Sequence, residues 1–480
     1  MADNDNMDNK IDLLNSNTED VTIVQTDSGA KDGQSKCPRC GATDIALNVG
    51  TGKLRCNSCR HELEPEKFEK SVTDIRSLDG TVIGSGATDI NASSEDVLTL
   101  KCTSCGAEVV IDTSESLQSR CHWCRNTLSI KQQVPNGAVP DKVLPFNAKK
   151  DDARAAIEKF VSERQFFAHK KFKEEFCVEN VMGVYLSYMV VDINSKASFS
   201  GQGEHLIRSY TVTTGTGKNA RTTTYYDADL YDVNREFDLI VENLTIESNA
   251  EKLKHKSSNR TNNIVNAIKP FDTENSVRWN ANLMRSFTSQ KRDTDIDDLS
   301  GLIEVKTKDI ARHQALKTTN KFDRGVRWEK ESIDVKGSQW KSAYLPIWLY
   351  SYQNNDVIHY VAANGRNLNT MGSIPINMAK LLIFALIVQI LGTIPGVSIL
   401  ALDTDWSIIG AVLFVSGPLF FWLIYSRYRN QGARYRHESA ASAKMENLRE
   451  SEELIRRITK TSRSSIQGRN DSNVNYKGGS

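Results

Sequence analysis

Residues 37–59 read CPRCGATDIALNVGTGKLRCNSC, and residues 102–124 read CTSCGAEVVIDTSESLQSRCHWC. Each stretch is bounded by C-x2-C pairs: Cys37 and Cys40 with Cys56 and Cys59, then Cys102 and Cys105 with Cys121 and Cys124. Fifteen residues separate the pairs within each stretch, and the whole pattern recurs with a period of 65. That is an internal duplication. Two residues between thiols let a tight turn aim both sulfurs at one tetrahedral Zn2+, and two such turns complete a four-cysteine shell. Gly41-Ala42 and Gly106-Ala107 follow the first pair of each stretch, where glycine permits the positive φ that closes the turn. Residues 45–55 and 108–120 read as short hairpins between the pairs. The expectation is two structural Zn2+ sites in two tandem zinc ribbons, over 36–65 and 99–132. Hairpins this small bury little core, so the metal supplies the folding energy, on the order of 10 kcal/mol per site.

An isolated C-x2-C also suits a redox pair or a disulfide, but two matched sets favour metal. Catalytic zinc keeps an open coordination position, which four thiolates close. His61 and His122 stand beside ligand sets that are already complete in sulfur. Four thiolates around Zn2+ leave a negative centre that Arg39, Arg55 and Arg60, and Lys101, Arg120 and Arg125, offset; the same bases suit contact with phosphate. Cys177 lies outside any ligand spacing and reads as a small buried side chain.

Residues 381–402, LLIFALIVQILGTIPGVSILAL, hold no charge over 22 positions, and 406–426, WSIIGAVLFVSGPLFFWLIYS, hold none over 21. At about 1.5 Å per residue each run is roughly as long as a bilayer core is thick. Only Asp403-Thr404-Asp405 separates them, which predicts a two-helix transmembrane hairpin over 376–426. A buried core hairpin is the alternative, but core helices seldom stay uncharged this long. Lys380 before the first run, and Arg427, Arg429, Arg434 and Arg436 after the second, are basic, whereas the link is acidic. The positive-inside rule then puts both chain termini in the cytoplasm of a multi-pass protein of the cell membrane. A reducing compartment also keeps cysteines free for metal. Trp406, Trp422 and Tyr425 suit an interfacial aromatic belt. Pro395 and Pro418 kink their runs, which membrane helices tolerate, and Gly392 with Gly396 reads as helix contact within the hairpin.

The 480-residue chain carries 61 basic and 60 acidic side chains, with a mean hydropathy of −0.45. This balance excludes a histone-like polycation and a disordered polyacid, and it argues against a polytopic membrane protein while leaving room for a few spans. Residues 1–35 carry eight acids against two lysines, and 427–480 carry twelve bases against six acids. We expect polar tails at 1–35 and 464–480, a linker at 66–98 and a basic juxtamembrane helix at 427–463, whose first arginines meet anionic lipid. Met445, Leu448, Leu454, Ile455 and Ile458 fall on one side of that helix.

Residues 141–370 read as an α+β cytosolic domain of antiparallel sheet with a weak internal echo. Val143-Leu144-Pro145-Phe146-Asn147 precedes a helical stretch at 153–167, and Ile268-Lys269-Pro270-Phe271-Asp272 opens the second half, with Asn147 and Asp272 as N-caps. Each half then delivers an aromatic strand, at 184–191 and 343–350, read as core packing. Residues 210–214 and 222–226 flank a Gly-rich hairpin. Gly215-Thr216-Gly217-Lys218 fails as a phosphate loop, because Val212 stands where the first glycine is needed and Asn219 where Ser or Thr is needed. Gly201-Gln202-Gly203 is too short for a dinucleotide fingerprint, and neither HExxH nor GxSxG is present.

The tandem cysteine sets, the VLPF segment at 143–146, the YLPIWLYSY strand at 344–352 leading to Asn364-Gly365-Arg366, and the terminal apolar pair together resemble the bacterial TFIIB-type zinc-ribbon-containing membrane proteins. The resemblance covers residues 37–436. It departs at Tyr185-Leu186-Ser187-Tyr188, which lacks the proline of Leu345-Pro346, and at Arg366, where the family has Gln. It implies architecture and no established activity. The expected function is a membrane-anchored, non-enzymatic adaptor or scaffold for a protein partner. A membrane-tethered nucleic-acid binder is the second reading, and an enzyme or transport accessory the third.

Overall fold

The computed structural model describes residues 21–24, 37–88 without 43, 70 and 71, then 97–102, 108–112, 119–121, 127–128 and 133–134. It further describes 140–401 without 215–220, 249–267, 269, 285, 291, 293 and 355–356, and finally 407–429 and 442–456.

Three long strands form the spine: β12 (Met182–Thr214), β13 (Arg221–Glu247) and β16 (Val326–Asn354). β12 runs antiparallel to β16 from Met182 opposite Leu349 to Gly203 opposite Val326. On its other side it pairs with β13 from Tyr188 opposite Glu247 to Thr214 opposite Arg221, which makes the expected hairpin. The two aromatic segments are therefore direct neighbours, with Val184 opposite Ile347 and Leu186 opposite Leu345. Tyr185, Tyr188, Trp348 and Tyr350 are at most 3% exposed, so these aromatics are core.

Their near-continuous apolar runs suit strands buried on both faces. Tyr185, Tyr344, Trp348 and Tyr350 point into a cluster with Cys37, Cys56 and Phe146. Val184, Leu186, Tyr188, Leu345 and Ile347 point into another with Cys102, Val109 and Cys121. Because side chains alternate along a strand, the two cysteine stretches are placed on opposite faces of one sheet.

Short strands hang on this spine. β1 (Val21–Val24) lies parallel to β5 (Gly80–Gly84), and β5 and β11 (Lys142–Val143) lie parallel to β16. β14 (Val277–Arg278) pairs antiparallel with β11, β17 (Val357–Asn364) with β16, and β18 (Thr370–Gly372) with β17. β15 (Thr288–Gln290) lies parallel to β12 and carries β7 (Glu108–Asp112), β6 (Val97–Lys101) and β10 (Gln133–Val134) outward, all antiparallel. β19 (Ser442–Arg456) covers β13. Apart from this sheet, β2 (Ile45–Asn48), β3 (Lys53–Cys56) and β4 (Glu62–Leu63) make a three-stranded unit, and β8 (Ser119–Arg120) pairs with β9 (Thr127–Leu128).

The α+β, antiparallel-sheet expectation is thereby corrected to a sheet-dominated body with one large mixed sheet. Two of the parallel pairs come from segments expected to be tail and linker: Val21–Val24 and Gly80–Gly84 are rich in β-branched residues, and Gly80–Gly84 enters alongside β16 with Val21–Val24 on its far side; the other two, made by β11 and β15, are short strands within the expected domain. Residues 442–456, expected as helix, are strand. Ala443, Met445 and Leu448 pack on the sheet side because Asn447, at φ 53°, sits at a bulge where the register shifts. One inserted residue gives a strand the three-residue spacing that reads as helical.

Helix α1 (Lys150–Ser162) buries Ala153, Ile157, Phe160 and Val161, one helical face. Its N-cap is Lys149 and not Asn147, whose backbone N–H donates to Gly365 O at 3.0 Å. Two short helices follow, α2 (Lys170–Glu175) and α3 (Ala281–Met284). α4 (Ile296–Leu316) lays Leu299, Ile303 and Ala311 on Val191, Phe237 and Leu239 of the spine. The two echo segments meet at one turn. The Arg366 guanidinium donates to Pro145 O at 3.1 Å and to both Asp272 oxygens, the shortest at 2.6 Å, while Asn364 Nδ2 donates to Ile268 O (2.9 Å) and Pro270 O (3.0 Å).

The apolar end comprises α5 (Met378–Ala401), α6 (Ser407–Phe414) and α7 (Ser416–Arg429). Both α6 and α7 pack on α5. Among the described residues only Met378–Ser398 is long and apolar enough to cross a membrane, so the expected two-span hairpin is corrected to one candidate span. Pro418 accounts for the interruption of the second run: it has no N–H to give Phe414 O and its ring opposes a continuous helix. Gln389 on α5 repairs the break, since Nε2 donates to Phe414 O at 2.6 Å and Oε1 accepts Gly417 N–H at 2.9 Å. A methyl added at Gly396 would sit 2.9 Å from Phe414 N, so the glycine pair serves contact within the unit. Only 22% of the apolar window of α5 is buried, unlike a core helix.

Gln389→Leu leaves two backbone groups unpaired, and is expected to loosen α5 from α7 by about 1 kcal/mol, read as a lowered Tm of the detergent-extracted chain. Arg366→Ala is expected to destabilise the body by about 2 kcal/mol in urea titration. Burial raises the Asp272 carboxyl, but hydrogen bonds from Arg366 and Asn275 bring it below the ordinary range. That stabilisation is present above about pH 4 and is lost as pH falls through the depressed value; Arg366→Ala should flatten this acid limb.

Candidate metal centre

Cys37 Sγ lies 3.6 Å from Cys59 Sγ, and Cys40 Sγ lies 3.6 Å from Cys56 Sγ. All four sulfurs fall within 4.8 Å of one another. A tetrahedron with metal–sulfur bonds of about 2.3 Å has edges of about 3.8 Å, and a disulfide requires about 2.05 Å. The spacing therefore fits four thiolates around one ion.

The chain builds this group from two copies of one turn. Gly41 N–H donates to Cys37 O and Arg60 N–H to Cys56 O, both at 2.8 Å. Cys37 N–H donates back to Ala42 O and Cys56 N–H to His61 O, both at 2.9 Å. Gly41 adopts φ 72°, as its position after the first pair predicts, and Arg60 adopts φ 61° at the matching place without being glycine. His61 contributes its backbone carbonyl to the turn, and the ligand-forming group consists of cysteines alone. β2 and β3 form the expected hairpin between the pairs, with Ile45 opposite Cys56.

Electrostatics favours a cation at the centre. Backbone N–H groups, that of Cys59 foremost, hold the Cys56 thiol down to about 7. The Ala42 N–H lowers Cys40 too, but the neighbouring thiols of Cys59, Cys56 and Cys37 outweigh it and push Cys40 up to about 12. Four thiols this close oppose one another's ionisation, and a divalent ion removes that conflict by taking them all as thiolates. Arg39, Arg55 and Arg60 are exposed around the group.

The expected tandem ribbons are corrected here: among the described residues one four-cysteine group is assembled. Cys105, Cys124 and His122 lie outside the described residues. Cys102 and Cys121 are both buried in the cluster around Val109. Their surroundings differ from the first set, because β7 pairs with β6 and joins the main sheet through β15, while β8 pairs with β9. Among the described residues, Glu108–Asp112 and Ser119–Arg120 thus pair with β6 and β9 and not with each other. Cys177 is half-buried, not buried, and its thiol donates to Glu179 at 2.8 Å.

The first cysteine unit is docked on the body. Cys37, Ile45, Leu47, Leu54 and Cys56 share a hydrophobic cluster with Leu283 of α3 and Trp348 of β16. The same cluster holds Leu381 of α5 and Tyr428 of α7. Tyr428 also accepts the Phe167 N–H at 3.0 Å through its hydroxyl, and Ile374 N–H donates to its carbonyl at 3.0 Å. The start of α5 and the end of α7 are therefore both fastened to the body. The spacing in the sequence picked out all four cysteines of this group; it missed Arg60 as a turn-former because no residue type announces a left-handed arginine.

No family model matches the chain, and no solved structure matches it. The chain is similar to YdjG, an uncharacterised protein of Bacillus subtilis (strain 168), at 22% identity over 346 residues, which cover 72% of this chain and 91% of that protein.

A left-handed arginine costs about 1 kcal/mol relative to glycine. Arg60→Gly is accordingly expected to slow metal loss from the Cys37–Cys59 group to a competing chelator, followed with a colorimetric metal indicator.

Proposed function

We propose that this chain is a membrane-associated zinc protein that acts as a non-enzymatic scaffold, holding a protein partner at the bilayer. The observation that carries the reading is the shared hydrophobic cluster, in which Cys37 and Cys56 are packed together with Leu381 and Tyr428 at the base of the apolar helices. A metal held by four thiolates offers no open position to a substrate, so its work is to stiffen the surface that contains it. Zn2+ is the proposed ion because an all-sulfur tetrahedral donor set suits it. A second equivalent at Cys102, Cys105, Cys121 and Cys124 is the finer part of the proposal, supported by the repeated spacing and by the burial of Cys102 and Cys121.

α5, with α6 and α7 against it, is proposed to lie in the membrane, supported by the exposed Leu382, Leu386, Ile390 and Ile394. Lys380, Arg427 and Arg429 stand at the body end of this unit, which favours a cytoplasmic body. Kinship with the TFIIB-type zinc-ribbon-containing membrane proteins belongs to the same proposal and rests on the motifs quoted above. Nucleic-acid binding is the second reading, favoured by exposed Arg39, Arg55 and Arg60 on the metal unit.

The test uses the full-length chain. It is expected to remain in membranes through alkaline carbonate washing and to hold about two zinc ions; a ratio of about one would restrict the metal to the Cys37 group. A photo-crosslinker placed at Arg55 should capture a reproducible protein partner in cells. Capture of nucleic acid, with affinity that falls linearly in log salt, would transfer the conclusion to the second reading, and capture of neither would end the scaffold proposal.

A further inference from the structure

The turn that follows α1, residues 163–169, is over 200 positions from α5 in sequence yet touches its first turns. Phe167 is buried against Phe384 and Phe420, with ring centroids 5.6 and 6.1 Å away. Its neighbour Phe166 is 53% exposed and meets Phe384 edge-on at 5.2 Å. An exposed phenylalanine beside the first turns of an exposed apolar helix continues that helix's apolar face beyond the helix itself.

One cation lies on this phenylalanine, and two more meet at the start of the same turn. Lys380 Nζ lies 3.6 Å from the centroid of the Phe166 ring and donates to Phe166 O at 2.8 Å, with no carboxylate partner among the described residues. Arg164 stacks over Phe160 at 3.6 Å and donates from Nη1 to Phe160 O at 2.9 Å. Its Nε is buried without a hydrogen-bond partner. Arg164 and Arg427 share a single carboxylate, Glu163, at 3.6 and 3.8 Å. Burial first, and the Arg427 charge second, push the Arg164 guanidinium below its ordinary value, so an anion placed here would offset both effects. Three cations against one carboxylate leave an excess of positive charge level with the start of the apolar face.

We propose that the turn at residues 163–169 is an interfacial segment that dips Phe166 into the acyl-chain edge of the bilayer and, with Arg164, Lys380 and Arg427, seats the phosphate of an anionic phospholipid. A guanidinium fork suits a phosphodiester, and juxtamembrane bases are drawn to anionic leaflets. Exposed Trp422 on α7 is suited to the same headgroup level. The inference rests on the bilayer reading of α5.

The experiment has two readouts on the full-length chain. Carbonate washing of membranes tests the bilayer reading alone, and release of the wild-type chain would remove that reading and this one with it. The second readout is the Tm of the chain in nonionic detergent with added phosphatidylglycerol, phosphatidylcholine or water-soluble glycerol 3-phosphate. Phosphatidylglycerol is expected to raise Tm by several degrees, with no rise from the other two. Arg164→Gln with Arg427→Gln should remove at least half of the rise. Phe166→Ser should reduce it as well, and because the ring also touches Phe384 and Phe167, the Tm of this variant with phosphatidylcholine is the baseline from which its rise is read. Arg208→Gln, far out on β12, should leave it unchanged. Equal rises with both lipids, a full rise in the double variant, or an equal rise with glycerol 3-phosphate would each overturn the proposal while leaving membrane insertion intact.

Discussion

The antiparallel pairing of β12 with β16 is the constraint on which the rest of the molecule depends. Each parallel strand pair except β1 with β5 is made directly to one of these two strands, and both cysteine stretches pack against their side chains. A slip of one residue in this register would exchange the contents of the two faces. Tyr185 and Trp348 would then leave the metal-unit cluster, and Leu186 and Ile347 would enter it. Burial on both faces makes that exchange costly, which is why the register holds over so long a pairing.

Polar groups are satisfied at the points where this scheme is weakest. Asp192 lies at the shift in the β12–β13 register, is 1% exposed, and takes the Lys341 ammonium at 3.1 Å and the Asn243 N–H at 2.8 Å. Lys341 also donates to Gln339 at 2.6 Å. A buried pair of this kind is costly when one partner is lost, so it favours one register over its neighbours. Gln389 plays the corresponding part between the apolar helices, where it pairs the carbonyl freed by Pro418.

The metal unit and the apolar helices are coupled through a common core and not through a hinge. Phe146, Tyr185 and Trp348 form its aromatic centre, with Phe146 stacked on Phe287 at 4.4 Å, and the cysteine unit and the α5–α7 unit pack on this same cluster. Close-packed interiors transmit displacement instead of absorbing it. The four-cysteine unit and the apolar helices therefore share one packed core.

What the sequence determined by itself was local. Spacing of two residues between thiols specified the group of Cys37, Cys40, Cys56 and Cys59; uncharged length specified α5; and unbroken apolar runs specified the aromatic strands as core. Each of these signals is complete within a few turns or one strand. The tertiary structure alone decided what required distant partners. Val21–Val24 and Gly80–Gly84 are strands only because β16 offers an edge, and residues 442–456 form a strand through the bulge at Asn447 that lets Met445 and Leu448 face β13's core. Pro418 divided the second apolar run because Gln389, about 30 positions earlier, could pair the freed groups. Cys37 and Cys56 went to one face of the sheet and Cys102 and Cys121 to the other, because alternate side chains of β12 and β16 supply a separate core to each pair.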